Sequence, residues 1–254
     1  SGHRRFWPNS AALLLPKAVL HVSIRVRCTE VGLHSPAHWT TGPDAARPRG
    51  WSAVPIKDKG IMAILQKLLE TTPEELGRGR DVLRPGRYRR LELATAWRIE
   101  HPRLWRKYAV ERQSVAEQLQ QLPEKPPRLQ LRPVFSKAGA ELPDKLMTEV
   151  NEVRLLHGSK PEKILSLLDN GLNERFSGGK FGHGTYLAED AGKNDQYCTP
   201  DDSLHAEHLQ DLHDQIYRDG VEHAGTVYYL ILCRVVMGSF ASCKKGDPDA
   251  KIMG

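Results

Sequence analysis

The spacing of apolar side chains changes character along the chain. Residues 1–60 hold no sustained period: Pro8, Pro16, Pro36, Pro43, Pro48 and Pro55 interrupt every apolar run. Arg47-Pro48-Arg49-Gly50 reads as a connection. The first periodic signal is Ile61, Ile64, Leu65, Leu68 and Leu69, which predicts a short amphipathic helix over 60–70. Thr72-Pro73-Glu74-Glu75 is a helix-start signature, which Gly77 and Gly79 cut short. From Tyr88 the pattern becomes more regular. Leu91, Leu93, Trp97 and Ile99 alternate with Glu92, Arg98 and Glu100, predicting a half-buried strand. Pro102 then opens a helix whose apolar face is Leu104, Tyr108, Val115, Leu119 and Leu122, ended by Pro123. Residues 123–143 read as a Pro-rich connection.

Further on, Arg154 to His157 is a short strand. Ser159-Lys160-Pro161-Glu162 predicts a capping box, in which hydroxyl and acid satisfy each other's orphan N–H groups. The helix that follows runs through Ile164, Leu165, Leu167 and Leu168 and closes at Asn170-Gly171 in a left-handed cap. Gly178 to Gly184 reads as a mobile loop, Thr185 to Ala188 as a strand and Ala191 to Tyr197 as a short helix. Leu209, Leu212 and Ile216 predict a polar surface helix over 203–218. Thr226 to Met237 is apolar at both parities, the pattern of a strand buried on both faces. Strands and helices do not alternate regularly, so the expected class is α+β over 88–254. Residues 1–87 are expected to be largely irregular and disordered, with one or two short helices.

Composition sharpens this division. The chain has 254 residues and a net charge of +6. Residues 1–140 carry 25 Lys and Arg against 12 Asp and Glu, and residues 141–254 carry 12 against 19. Most of the excess lies before Leu91, where 16 basic residues face 7 acidic ones. It therefore describes the N-terminal region. No apolar run approaches the ~18 residues of a spanning helix, since Ala11 to Ile24 contains Pro16, Lys17 and His21. That run also lacks a signal-peptide cleavage pattern. Cys28, Cys198, Cys233 and Cys243 form no C-x-x-C pair, which fits a reducing, intracellular setting, nuclear or cytoplasmic. The chain opens on Ser1, so its natural start is expected elsewhere.

Several groupings invite a chemical reading. Gly182-x-Gly184 lacks the third glycine of a dinucleotide fingerprint and precedes a strand rather than a helix. It reads as a surface loop. His205 and His208 share a helix face beside His213, Asp211 and Asp214, but nothing supplies a third ligand, so no metal is expected. Arg78, Arg80, Arg84, Arg87, Arg89 and Arg90 crowd around Tyr88 and offer weak, non-specific nucleic-acid contact, or simply a solvated face. His157-Gly158-Ser159 at a strand end, with Tyr186 twenty-nine residues on and then Tyr197, suits a nucleotide. Aromatic faces stack a flat ring, a backbone glycine holds an amide, and an imidazole bonds a ribose hydroxyl.

These residues carry a family likeness. Asn151-Glu152-Val153-Arg154-Leu155-Leu156-His157-Gly158-Ser159, then Ile164 to Leu172, then Phe181-Gly182-His183-Gly184-Thr185-Tyr186-Leu187-Ala188, resemble the catalytic domain of poly(ADP-ribose) polymerases. Lys193, Tyr197-Cys198 and the strand Tyr228 to Gly238 continue the frame. Trp97 to Tyr108 resembles the opening of this domain in the mono-ADP-ribosylating branch, so the likeness covers about 90–245. It implies the ADP-ribosyltransferase fold, with mixed, mostly antiparallel sheets. It also implies an NAD⁺ substrate, no metal, and a glycosyl transfer of ADP-ribose to a protein acceptor with loss of nicotinamide. On that likeness His157 and Tyr186 are the catalytic positions. Gly158 clamps the carboxamide, Tyr186 and Tyr197 sandwich the nicotinamide, Ser159 lies near the adenosine ribose, and His157 bonds a ribose hydroxyl.

Three departures accompany the likeness. Asn194 stands where the family has a carboxamide-binding Ser, and Asn173 where an Arg often lies near adenine. The family's third catalytic position falls on a strand beyond Gly254, so the domain is expected to be truncated, without its C-terminal strands. Retention of His157 and Tyr186 favours a mono-ADP-ribosyltransferase. Asn194 favours the alternative, a degenerate NAD⁺- or ADP-ribose-binding interaction module. No membrane partner is expected.

Overall fold

The computed structural model describes residues 11–13, 35–41, 48–79, 86–173, 178–179 and 182–241, with the backbone alone at 11–13, 75, 139, 178–179 and 182–183. In chain order the strands and helices are β1 (Ala11–Leu13), β2 (Ser52–Pro55), α1 (Lys59–Leu68), β3 (Trp97–Glu100), α2 (Pro102–Gln120), α3 (Pro133–Glu141), β4 (Glu152–Ser159), α4 (Pro161–Asn170), β5 (Gly178–Gly179), β6 (Gly182–His183), β7 (Thr185–Leu187), α5 (Ala191–Asp195), α6 (Gln210–Ile216) and β8 (Tyr229–Val236). Short 3₁₀ turns occupy Pro73–Glu75, Thr148–Val150 and Glu207–Leu209. The strands form four two-stranded antiparallel sheets, β1-β7, β2-β3, β4-β8 and β5-β6. The expected α+β class with antiparallel pairing is what the chain adopts.

The β4-β8 ribbon is the spine. Its register runs from Glu152 opposite Val236 to Ser159 opposite Tyr229. Leu156 exchanges backbone hydrogen bonds of 2.8 and 3.0 Å with Ala188, which sets the end of β7 against the edge of β4 that faces away from β8. Alternate β4 side chains enter different packings, as the period of two requires. Val153 and Leu155 join Leu187, Val235 and Met237. Leu156 joins Leu68, Phe135, Ala138 and Ala191. A third cluster, Trp51, Ile164, Leu168, Leu212, Ile216 and Tyr229, packs α4 and α6 against the start of β8.

Several local outcomes differ from the sequence expectations. The strand expected from Leu91 begins only at Trp97. The Gln66 side-chain amide explains this: it donates to the Leu91 carbonyl at 3.1 Å and accepts from Leu93 N–H at 2.7 Å, taking groups that a ladder would use. The capping box does not form. Pro161 drives Lys160 into an extended conformation (φ −72°, ψ 148°), so Lys160 is the N-cap and Ser159 stays in β4. Gly171 has the positive φ expected (77°), but its ψ of 179° sends the chain on extended. The connection 123–143 contains α3, which is short but buries Phe135 and Ala138. Leu122, placed on the apolar face of α2, lies beyond its last turn and is exposed. The loop at 178–184 carries the β5-β6 hairpin, with 180 and 181 outside the described residues. β8 is half-buried along most of its length, because β4 covers one edge and no ladder covers the other among the described residues.

The N-terminal region is less irregular than its prolines suggest. β2 pairs with β3 from Ser52 opposite Glu100 to Pro55 opposite Trp97. Trp51 is buried and its indole N–H donates to Asp169 Oδ1 at 2.7 Å. The Arg49 guanidinium chelates the same carboxylate at 3.0 and 2.7 Å. β1 pairs with β7, Ala12 opposite Tyr186. Most of residues 1–47, where disorder is expected, lies outside the described residues. Among the described residues no helix is long and apolar enough to cross a membrane.

Candidate functional site

The antiparallel ladder decides which backbone groups β4 presents. Residues of like parity aim N–H and C=O at the same edge. Leu156 faces Ala188, so Gly158 faces that edge too, away from β8. The N-terminal turn of α5 is held there by Asp190, whose Oδ1 accepts from Gly192 N–H at 2.8 Å and from the Thr71 hydroxyl at 2.6 Å. This brings Asn194 onto Gly158. The Gly158 N–H donates to Asn194 Oδ1 at 3.0 Å, and Asn194 Nδ2 donates to the carbonyls of Ala188 (3.3 Å) and Asp190 (2.8 Å). Asn194 is 4% exposed. Gly158 is irreplaceable by packing rather than by φ: a Cβ there would stand 2.2 Å from the Asn194 carbonyl oxygen and 3.0 Å from Cys198 Sγ.

Folding brings His157 against Tyr186. His157 Nδ1 lies 2.9 Å from the Tyr186 carbonyl oxygen. A carbonyl only accepts, so Nδ1 donates, and in the neutral ring Nε2 is left as an acceptor. Both residues are half-buried. Ser159 is half-buried opposite Tyr229. Tyr197 follows α5, its N–H donating to the Asn194 carbonyl at 3.0 Å; it is 38% exposed, with Lys193 Nζ 5.6 Å from its ring centroid. His157, Gly158, Ser159, Tyr186, Asn194 and Tyr197 thus all sit on β4, β7, α5 or the turn after α5. Asn173 ends the described stretch 86–173, with 174–177 outside the described residues.

The surroundings are rigidified by buried charge. Glu152 opens β4 and is fully buried; it accepts from Tyr108 OH at 2.5 Å, Met147 N–H at 2.6 Å and Arg234 at 2.7 and 2.9 Å. Burial alone would raise its pKa, but the Tyr108, Met147, Arg234 and Arg112 contacts outweigh burial and hold it below the ordinary value. Asp195 in α5 accepts from Gly77 N–H (2.8 Å) and Tyr88 OH (2.6 Å). The basic stretch around Tyr88 is therefore tied to α5. Of its arginines, Arg89 pairs with Glu74 at 3.2 Å and Arg90 with Glu92 on the exposed surface, while Arg80 and Arg84 lie outside the described residues. Cys198 and Cys233 are free thiols, both pushed up to about 12 by burial, which leaves neither as a ready nucleophile.

The histidine grouping falls differently from the sequence expectation. His205 and His208 are exposed and do not converge; His208 lies 3.8 Å from Glu162. The helix is not a mere surface helix, because Leu212, His213 and Ile216 are buried. His213 turns inward to Asp201 and His223. Sequence spacing held no signal for that trio, since its members come from three separate segments.

Against known proteins, the family model for the poly(ADP-ribose) polymerase catalytic domain matches residues 80–253. A search of curated proteins found no significant match.

Proposed function

Because the chain belongs to the poly(ADP-ribose) polymerase catalytic-domain family, we propose that it uses NAD⁺ to transfer single ADP-ribose units to a protein side chain, releasing nicotinamide. The observation that supports this best is the joining of His157 to Tyr186, Nδ1 to carbonyl at 2.9 Å, beside the glycine that no other residue can replace. In this reading His157 Nε2 accepts a ribose hydroxyl, with the ring oriented by its other nitrogen. The Tyr186 and Tyr197 rings stack the nicotinamide, Gly158 holds its carboxamide through the backbone, and Ser159 lies toward the adenosine ribose. Asn194 replaces the hydroxyl that usually bonds the carboxamide. Pyridinium departure is favoured where the stacked, hydrogen-bonded pose suits the transition state better than the ground state. The lean to single transfer rests on Trp97 to Tyr108 and on residues 61–90, which do not resemble the helical domain preceding catalysis in polymer formers. The cysteine pattern supports work inside the cell, in nucleus or cytoplasm.

One observation favours a second reading. Asn194 Oδ1 already occupies the Gly158 N–H that a carboxamide would need. A chain that keeps this contact binds NAD⁺ or ADP-ribose without turnover and acts as an interaction module.

Incubation with NAD⁺ labelled in the adenylate half separates the two. The transferase reading expects label on protein and free nicotinamide. Binding by calorimetry without label on any acceptor would leave the module reading standing alone. Tyr186→Ala removes a stacking face worth about 1.5–3 kcal/mol, so NAD⁺ affinity falls about 10- to 100-fold. Unchanged affinity would place Tyr186 outside the site.

A further inference from the structure

Asp201, His213 and His223 form a separate, closed cluster. Asp201 is bridged to Val227, His213 lies on α6, and His223 lies between α6 and β8. One ligand atom from each lies within 4.8 Å of the others. The side chains are 0, 1 and 3% exposed. Asp201 Oδ2 lies 2.7 Å from His213 Nε2 and 3.2 Å from His223 Nε2, and accepts from Tyr229 OH at 2.6 Å. Its Oδ1 is buried with no hydrogen-bond partner. His223 Nε2 is also buried without one: it is near Oδ2 but not aligned with it. Two unpartnered ligand atoms in one buried polar cluster are costly unless an ion or water satisfies them.

The His213 ring narrows what that species is. Its Nδ1 lies 3.0 Å from the Leu204 carbonyl, so Nδ1 donates. Its Nε2 faces a carboxylate oxygen, which also only accepts. At 2.7 Å this pair carries a proton as a hydrogen bond, which a bound ion would replace. A proton would serve His213, but it would leave Asp201 Oδ1 and His223 Nε2 unpartnered. A divalent metal ion takes both imidazole nitrogens and the carboxylate together. An Nδ1–H bond to a backbone carbonyl is also the way metal-binding histidines are usually aimed.

We propose that Asp201, His213 and His223 form a divalent transition-metal site, suited by its two nitrogens and one carboxylate to Zn²⁺, with water completing four-coordination. The ion clips the segment between α6 and β8 to the bridge at Asp201. Tyr229, bonded to Asp201, stands opposite Ser159 in the β4-β8 ladder, so the clip steadies the strand end that carries His157 and Gly158. The site does not depend on the NAD⁺ reading.

The test uses the untagged full chain, stripped by chelator and titrated with Co²⁺ and with Zn²⁺. About one equivalent should bind, with Co²⁺ giving the visible d–d bands of a four-coordinate site. At 100-fold excess over Kd the melting midpoint should rise by about 5–10 °C. His223→Gln, which keeps a polar side chain, should weaken binding at least about 10-fold while its circular dichroism stays native. Should that variant fail to fold, the wild-type titration decides alone. A folded wild-type chain that takes up neither ion at micromolar concentration, or a folded His223→Gln that binds as tightly, overturns the proposal.

Discussion

Asn194 concentrates what is unusual about the candidate site. A serine there would be too short to accept from the Gly158 N–H as Asn194 does. The longer amide reaches across and accepts that N–H, anchored behind by Ala188 and Asp190. Asn194→Ser should therefore free a buried donor for a carboxamide ligand. One hydrogen bond contributes roughly 0.5–1.5 kcal/mol net, so nicotinamide affinity should rise about 2- to 10-fold. Calorimetry with nicotinamide measures it, and a folded variant with unchanged or weaker affinity would show that Asn194 does not compete for the site. Motif order singles out His157, Gly158 and Tyr186 as candidates, and folding joins His157 to Tyr186. The occupation of the Gly158 N–H was not legible in the sequence, because it depends on how far α5 docks onto β4.

Elements with strong punctuation were legible, and those sustained by distant partners were not. α1 and α2 follow from apolar spacing and from Pro102 at a helix start. α3 was missed because nine residues show too little periodicity. Its reason for existing is Phe135, 1% exposed against Leu68, Ala138, Leu156 and Ala191. Phe135→Ala should cost about 3–5 kcal/mol, a large part of a typical domain's stability. Urea unfolding reads this directly; a loss below about 1 kcal/mol would mean that α3 is dispensable to the core. β2 was hidden because four residues ending at Pro55 give too short a strand signal, and only pairing with β3 reveals it.

Across the whole molecule, buried carboxylates act as cross-links between segments far apart in sequence. Glu152 joins α2, residues 144–147, β4 and β8 through Tyr108, Arg112, Met147 and Arg234. Glu100 similarly holds Thr40, Thr41 and Arg98, and burial, which alone would raise its pKa, is outweighed by those bonds. Both folded pKa values lie below the ordinary 4.5. Their stabilisation is present above that value and is lost as pH falls through the folded pKa. Thermal melts should thus show a steep loss of stability below pH 4.5. Glu152→Gln should cost about 1–3 kcal/mol at neutral pH, because Tyr108 and Arg234 lose a buried carboxylate acceptor while Asp144 and the Lys145 carbonyl still hold Arg234, and should flatten the acid limb. Parallel acid limbs for both proteins would assign the pH dependence elsewhere. At this scale, chain order was enough to place the chain in an α+β family and to pick out its strand-end histidine, glycine and tyrosine. Those features are local, written in periodicity and in residues adjacent in the chain. The packing of residues 48–55 onto β3 and α4, the hold of Asn194 on Gly158, and the Asp201, His213 and His223 cluster arise only on folding. Each joins segments whose spacing has no period, and burial creates the proximity and the desolvation that give them their chemistry.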